Sequence, residues 1–331
     1  MPPLVTIFAF ACDWLIGDPQ SWPHPVRYIG KAIDLCEALA RRALKGREGP
    51  NAFLLAGAVM YILVVGLSAL LVYFLLWLSG SLAFVLWILV ATYLIFASIC
   101  LRDLLNHTFK VEERLLASDM EGAKGRLSWI VGRDTAPLDE KAIRRAEIET
   151  LAENFSDGLV APLFSLAIGG PVLAWAYKAT NTLDSMVGYR NERFLYLGRV
   201  SARADDALNF IPARLAALLL VMAAKLLGHD HKGSFSVWRR EGSHHSSPNS
   251  GQTEAAVAGA LGIFLGGTYQ YQGVVYPKPK LNDGGRETDH GDVLATQDMV
   301  KVGTVLAVML AIAVEILIIV GTCGHPFLWG I

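Results

Sequence analysis

Two stretches of this chain leave a water-soluble fold little room. Ala52 to Leu78 contains no charged residue, and neither does Leu82 to Leu101. At about 1.5 Å of rise per residue, a helix needs roughly 20 apolar residues to cross the hydrocarbon core. Only closed hydrogen-bonding elements survive there, because no water satisfies the backbone. Val302 to Cys323 is a third such run, interrupted only by Glu315. Composition agrees: 53% of the residues are hydrophobic, 18% are charged, and the mean hydropathy is +0.40. The expected fold class is therefore all-α, a polytopic α-helical integral membrane protein. Residues 1–331 read as a single membrane domain, with polar and partly helical cytoplasmic loops.

Four weaker segments set the uncertainty in the number of crossings. Pro3 to Gly17 is apolar but short and carries Asp13, and it lacks the basic start and small-residue cleavage site of a signal peptide. Gly158 to Ala179 is apolar except for Lys178, yet Gly169-Gly170-Pro171 breaks its middle. Ala207 to Gly228 contains Pro212, Arg214 and Lys225. Ala255 to Gly267 has the length of a re-entrant or interfacial piece. The count is four to seven crossings.

Charge sets the expected orientation. Arg27 to Asn51 and Arg102 to Asp157 are rich in Lys and Arg, whereas the turn Ser79-Gly80-Ser81 has none. The positive-inside rule puts both basic segments in the cytoplasm and that turn outside. The expected location is the cell (inner) membrane, with the functional face toward the cytoplasm. The net charge of −1, with no basic stretch interleaved with aromatics, gives no footprint for nucleic acid. The cysteines Cys12, Cys36, Cys100 and Cys323 form no C-x-x-C pair and read as small buried hydrophobes.

Between the spans, residues 102–157 read as a cytoplasmic helical loop: two helices broken at Gly132 to Pro137. Gly228 to Gly251 and Gln270 to Asp292 read as loops. If Gly158 to Ala179 crossed fully, the polar cluster after it would be separated from Glu153. The Gly-Gly-Pro break therefore predicts a re-entrant or strongly bent segment that returns Asp184 to the face of Asp157.

Polar clusters sit beside the apolar segments, and most combine an acid, an amide and an arginine. Glu149 and Glu153 fall one helical turn apart, where like charges repel by a few tenths of a kcal/mol unless a cation lies between them. Arg145, one turn earlier, offers a plain neutralising partner for Glu149. Glu153-Asn154-x-x-Asp157 abuts an apolar run, where an idle acid is costly. Asp205, Asp206 and Asn209 offer the hard oxygen donors that suit Mg²⁺, which keeps waters and substrate phosphates in its shell. Arg214 follows within two turns, placed to fork onto phosphate or simply to satisfy Asp206. His24, between two prolines, is held extended. His229, His231, His244 and His245 read as solvated loop residues. There is no P-loop, no Gly-x-Gly-x-x-Gly, no H-E-x-x-H and no G-x-S-x-G.

Taken in order, these motifs resemble one family. Gly-Asp18-Pro with His24-Pro-Val, and Ala-Glu153-Asn154-x-x-Asp157-Gly-x-x-Ala-Pro162, are two of them. Asn181-Thr-Leu-Asp184-Ser-Met-Val-Gly-Tyr189 and Ala-Arg203-x-Asp205-Asp206-x-x-Asn209-x-x-Pro212-x-Arg214 follow. Ser-Pro248-Asn249-Ser-Gly251, then Glu-Ala-Ala-Val-Ala-Gly-Ala-Leu, completes the set, with Gln252 standing where a bulkier residue is expected. The chain is similar in these features to the cobalamin-biosynthesis family called CbiB or CobD, adenosylcobinamide-phosphate synthase. The resemblance runs from about Asp13 to Gly273 and thins after Tyr276.

The resemblance implies an ATP-dependent amide ligase. It would join (R)-1-amino-2-propanol phosphate to the propionate carboxylate of the corrinoid adenosylcobyric acid, through an acyl phosphate. On that footing Glu153, Asp157 and Asp184 are the catalytic candidates. Asp205, Asp206 and Asn209 are the Mg²⁺ candidates. Asp18, His24, Asn154, Asn181, Tyr189, Arg190, Arg193, Arg203, Arg214 and Asn249 are the substrate contacts. The expected partners are ATP, the two substrates and the lipid bilayer, with a homo-oligomer left open. Two other readings stand beside it. A transporter would suit the broken segment, although the acids gather at segment ends and no two halves repeat. A Mg²⁺-dependent membrane prenyl transferase would suit Asp-Asp-x-x-Asn, although the second such box is absent.

Overall fold

Apolar length decides most of this architecture. The computed structural model describes residues 3–17, 22–46, 49–244, 247–271 and 273–321. After a short apolar helix α1 (Pro3–Ile16) and an amphipathic α2 (Pro25–Ala43) come α3 (Pro50–Leu82) and α4 (Phe84–Phe96). The polar middle forms α5 (Leu101–Leu116), α6 (Met120–Leu127) and α7 (Glu140–Phe155), then a π-helical turn at Ser156–Val160. Helices α8 (Ala161–Val187), α9 (Arg199–Leu208), α10 (Phe210–Leu227), α11 (His231–Glu241) and α12 (Ser250–Leu261) follow. A hairpin of β1 (Leu265–Tyr271) and β2 (Val274–Leu281) precedes the last helix, α13 (His290–Gly321). Five helical stretches among the described residues are long and apolar enough to cross a membrane, within the expected range. They are Pro50–Leu82, Phe84–Leu116, Glu140–Val187, Phe210–Leu227 and His290–Gly321. The molecule is a polytopic helical membrane protein.

The chain divides into two compact units. The first holds Met1–Cys100, Ala161–Leu208 and Val308–Ile331; the second holds Leu101–Val160 and Asn209–Ala307. In the first unit α3 buries only 22% of its most apolar stretch, leaving Leu55, Ile62, Leu67 and Leu70 outward for lipid. Lipid is as apolar as leucine, so helix association there relies on packing and on buried hydrogen bonds. Trp175 Nε1 donates to Leu94 O at 2.9 Å, and Tyr61 and Thr180 share a hydroxyl bond at 3.2 Å. Glu315, the lone acid in the last apolar run, accepts from Thr6 Oγ1 at 2.9 Å. That bond satisfies part of a carboxylate that would otherwise be costly in a span.

The Gly-Gly-Pro break bends the chain as expected. Within α8, Gly169 (φ −131, ψ 16) and Gly170 (φ 65, ψ −166) leave helical geometry just before Pro171. Only glycine tolerates the second of these conformations. Asp157 and Asp184 belong to different units.

In the second unit α5, α6 and α7 close on Val111, Leu115, Ala123, Leu127, Ile143 and Ala146. Burying an aliphatic side chain fully contributes roughly 1.5–3 kcal/mol. Asp119 and Asp139 cap α6 and α7, each accepting the backbone N–H three residues on. Helix α12 is buried along almost its whole length. Its small residues let α11 come close, so that a Cβ on Gly259 would lie 2.4 Å from Gly233 O.

Several local expectations are corrected. Gly228 to Gly251 is not a plain loop: Asp230 accepts from Lys232 N and Gly233 N and starts α11. Gln270 to Asp292 is not loop throughout, because residues 265–281 pair as an antiparallel hairpin, Tyr269 opposite Tyr276. Ala255 to Gly267 supplies most of α12 and the start of β1 inside the second unit. Ser79-Gly80-Ser81 stays helical, and the turn falls at Ala83 (φ −164, ψ 140).

Candidate functional site

In the second unit, two of the family-like motifs and the hairpin meet. Glu149 and Glu153 lie one turn apart on α7, and Glu254 lies on α12. Glu149 Oε1 accepts from Gly266 N at 2.7 Å and from the Tyr269 hydroxyl. Its Oε2 accepts from Arg133 Nη2 at 2.8 Å and lies 3.7 Å from Lys278 Nζ. The cation that the stacked acids need is thus supplied by the chain itself. Arg145 does not neutralise Glu149, as sequence proximity suggested; it pairs with Glu287 at 2.5 Å.

Lys278 sits at the centre of this cluster, 2.9 Å from Glu254 Oε1. Burial alone would lower its pKa. Glu149 foremost, then Glu254, outweigh that and hold it protonated well above the ordinary ammonium range. Burial, with Glu149 next, likewise raises Tyr269, so its hydroxyl remains a donor. Arg133 and Lys278 both lie against the Tyr269 ring, at 3.9 and 5.2 Å from its centroid. Glu254 is fully buried, and burial foremost pushes its carboxyl up to about 8. Glu149 and Glu153 add to that rise, while Lys278 opposes it.

Toward the surface the cluster opens onto the predicted residues. Glu153, half-buried, accepts from Ser250 Oγ at 2.9 Å. Asn154 donates to Thr150 O at 3.0 Å, and Asp157 stands half-buried on the π-helical turn. Such turns, inserted in longer helices, recur at functional sites. Asn249 is buried at the start of α12. Gln252 fills its position as a satisfied amide, accepting from Trp238 Nε1 at 2.8 Å and donating to Gly242 O at 2.9 Å. Asn209 is buried and precedes α10. Arg214 donates to Phe210 O at 2.7 Å and lies over the Phe210 ring.

The first unit carries the other motifs. Asn181 on α8 donates to Asp205 Oδ1 on α9 at 3.3 Å, and Asp205 is buried while Asp206 is half-buried. Asp184 lies one turn after Asn181 on α8, and its carboxyl occupies the space over Gly188, where a Cβ would sit 1.9 Å from Oδ1. His24 caps α2, its Nδ1 accepting from Val26 N at 3.3 Å. Arg193 donates to Glu37 at 2.9 Å, and Arg41 braces the same acid at 2.6 Å. Tyr189, Arg190 and Arg203 are exposed, with Arg203 at an open cavity of about 650 Å³ beside Arg199. Asp18 lies outside the described residues. No group of three His, Cys, Asp or Glu side chains among the described residues has the geometry of a metal cage. Asp205 and Asp206 instead suit the mode in which Mg²⁺ takes one or two carboxylates and completes its shell with phosphate and water.

Sequence reasoning missed Arg133, Tyr269 and Lys278 as site residues, and stopped short of Glu254. Glu254 carried a signal, an acid opening an Ala-rich apolar run, where only a specific role or partner offsets its burial.

The comparisons agree with these motifs. The family model described as CobD/Cbib protein matches residues 6–300. A "Cobalamin biosynthesis protein CobD" of Listeria monocytogenes is 40% identical over 310 residues, 94% of this chain and 97% of the relative. One of Citrobacter koseri is 43% identical over 319 residues, covering 96% and 99%. A "Cobalamin biosynthesis protein CbiB" of Salmonella typhimurium is 42% identical over 310 residues, covering 94% and 96%. No solved structure matches the chain. With nearly the whole length aligned to such relatives, the chain belongs to the CobD/CbiB family of cobalamin biosynthesis.

Proposed function

We propose that this protein is the ATP-dependent ligase that joins (R)-1-amino-2-propanol phosphate to the propionate carboxylate of adenosylcobyric acid, giving adenosylcobinamide phosphate. The observation that carries this reading is family membership across residues 6–300, which embraces every acid cluster described above. A carboxylate is a poor electrophile, so ATP first converts it to an acyl phosphate; the amine then attacks and phosphate leaves. Asp205 and Asp206 would hold Mg²⁺ together with the nucleotide phosphates. The ion would supply charge neutralisation on the phosphoryl oxygens. Arg190 and Arg203, exposed in the same unit as Asp205 and Asp206, are cations available to phosphate. Arg193 is already engaged with Glu37, so a role in substrate binding would require exchanging that partner. Asp157 and Asp184 remain candidates for contact with the reacting groups, and Glu153 is the half-buried acid of the second-unit cluster.

The test incubates membranes containing the protein with cobyric acid in its adenosylated form, ATP, Mg²⁺ and aminopropanol phosphate, then weighs the corrinoids by mass spectrometry. The expected result is a new corrinoid heavier by the amine less water, formed only when ATP is present. An ATP-independent product, or none, overturns the ligase reading.

A further inference from the structure

The acids of the second unit do not share their bonds evenly. Glu149 has a partner on both oxygens, whereas Glu254 has Lys278 on Oε1 and, among the described residues, no hydrogen-bond partner on Oε2. A fully buried polar atom without a partner costs about 1–3 kcal/mol, more when charged. A ligand that donates there would remove that cost. The charges point the same way: Glu149, Glu153 and Glu254 face the two cations Arg133 and Lys278, with Tyr269 between those cations. The cluster is one positive charge short when all three acids are ionised. A single helical turn separates Glu254 from a partly exposed residue. Ser250, one turn before Glu254, is 9% exposed and donates to half-buried Glu153.

We propose that Glu153 and Glu254 seat the primary ammonium group of the amine substrate, and that Glu254 Oε2 takes the proton that nitrogen must lose. The assignment rests on the ligase reading. The ammonium gives one proton to the Glu254 carboxylate, and the freed nitrogen lone pair forms the C–N bond to the acyl carbon. The bond from that carbon to the phosphate oxygen breaks, and phosphate departs with its electron pair, taking up the second proton that the nitrogen sheds as the amide forms and leaving as hydrogen phosphate. Lys278 stays protonated throughout, pinned by Glu149, and keeps Glu254 Oε1 engaged so that Oε2 faces the substrate. The elevated carboxyl of Glu254 suits the task, since a general base works best with a pKa near the operating pH.

The experiment uses the full chain in detergent, varying aminopropanol phosphate at saturating ATP and corrinoid from neutral to alkaline pH. Wild type should show a limb near pH 8 in kcat/KM for the amine. Glu254→Gln should lose that limb and fall roughly 100-fold or more in kcat/KM for the amine. Its KM for ATP and its thermal midpoint should stay near wild type. Glu254→Asp should keep the limb with partial activity. A Glu254→Gln protein with the wild-type pH profile overturns the assignment. So does one whose ATP and amine constants worsen together with its thermal midpoint, as does a Glu254→Asp protein without the limb. If wild type makes no amide product at any pH, the ligase reading falls and this assignment falls with it.

Discussion

Replacing Glu149 by alanine should destabilise the second unit severely, and the structure sets the size of the effect. Two donors, Gly266 N and the Tyr269 hydroxyl, lose their acceptor, and Arg133 loses its carboxylate partner. The Arg133 side chain is 7% exposed, so the stranded guanidinium cannot recover its hydration. Lys278 fares better because Glu254 remains at 2.9 Å. Breaking one partner of a buried pair costs about 3–5 kcal/mol. With a single cation stranded and the Tyr269 face still beneath it, the lower part of that range applies, about 3–4 kcal/mol. For a unit of this size each kcal/mol moves the midpoint by about 2–4 °C, giving a fall of about 6–16 °C. Thermal unfolding of the purified protein in detergent, followed by tryptophan fluorescence, reads this directly. Arg145→Ala is the control: its pair with Glu287 is partly exposed and should be worth under about 1 kcal/mol. A Glu149→Ala midpoint within about 2 °C of wild type, or an equal fall in Arg145→Ala, refutes the reasoning.

Other outcomes follow from the same geometry. Asp205→Ala and Asp206→Ala should each cut turnover by orders of magnitude while expression changes little; folded mutants with near wild-type turnover remove the phosphate-metal role. Gly170→Ala forces a side chain onto φ 65, ψ −166 and should cost about 1–3 kcal/mol in thermal unfolding. Gly66→Ala, where a Cβ meets nothing, should be neutral or slightly stabilising, and equal effects would refute the argument. A single cysteine at exposed Ser185 or Asn191, in a cysteine-free background, should react with an impermeant maleimide only after right-side-out cells are permeabilised. A denatured control confirms reactivity, and ready labelling of intact cells places that cluster outside.

The parts of this molecule that obey local rules were legible in its sequence. Apolar length marked α3, α4 and α13, and Gly169-Gly170-Pro171 marked its own bend, because both signals are contained in neighbouring residues. The hairpin was not legible. Pro277 and Pro279 argue against a strand, and residues 274–276 are exposed together rather than in alternation. It exists because its inner end is tied: Gly266 and Tyr269 bond Glu149, and Lys278 bonds Glu254. Helix α11 was hidden by its Gly, Ser and His content, which reads as loop until Asp230 is seen capping it.

The same distinction explains what the motifs revealed about the site. An acid beside an apolar run announces itself, since its burial needs a reason, and Glu153 and Asp157 stood out on those terms, while Asp205 and Asp206 stood out as paired hard-oxygen donors. A counterion does not, because any lysine or arginine in a polar stretch is unremarkable until the fold brings it inward. Arg133 comes from the break at residues 132–137 and Lys278 from a proline-flanked strand, yet together they neutralise Glu149. Placing the cations therefore changes the meaning of the acids. Glu149, singled out by its repulsion from Glu153, becomes a fully bonded anchor for the hairpin. Glu254, which the sequence showed only at the end of a motif, becomes the buried acid of this cluster with an oxygen still to be bonded. Chemistry belongs with the second of these, since a carboxylate that already accepts three hydrogen bonds and has an ammonium at 3.7 Å is committed to holding the hairpin.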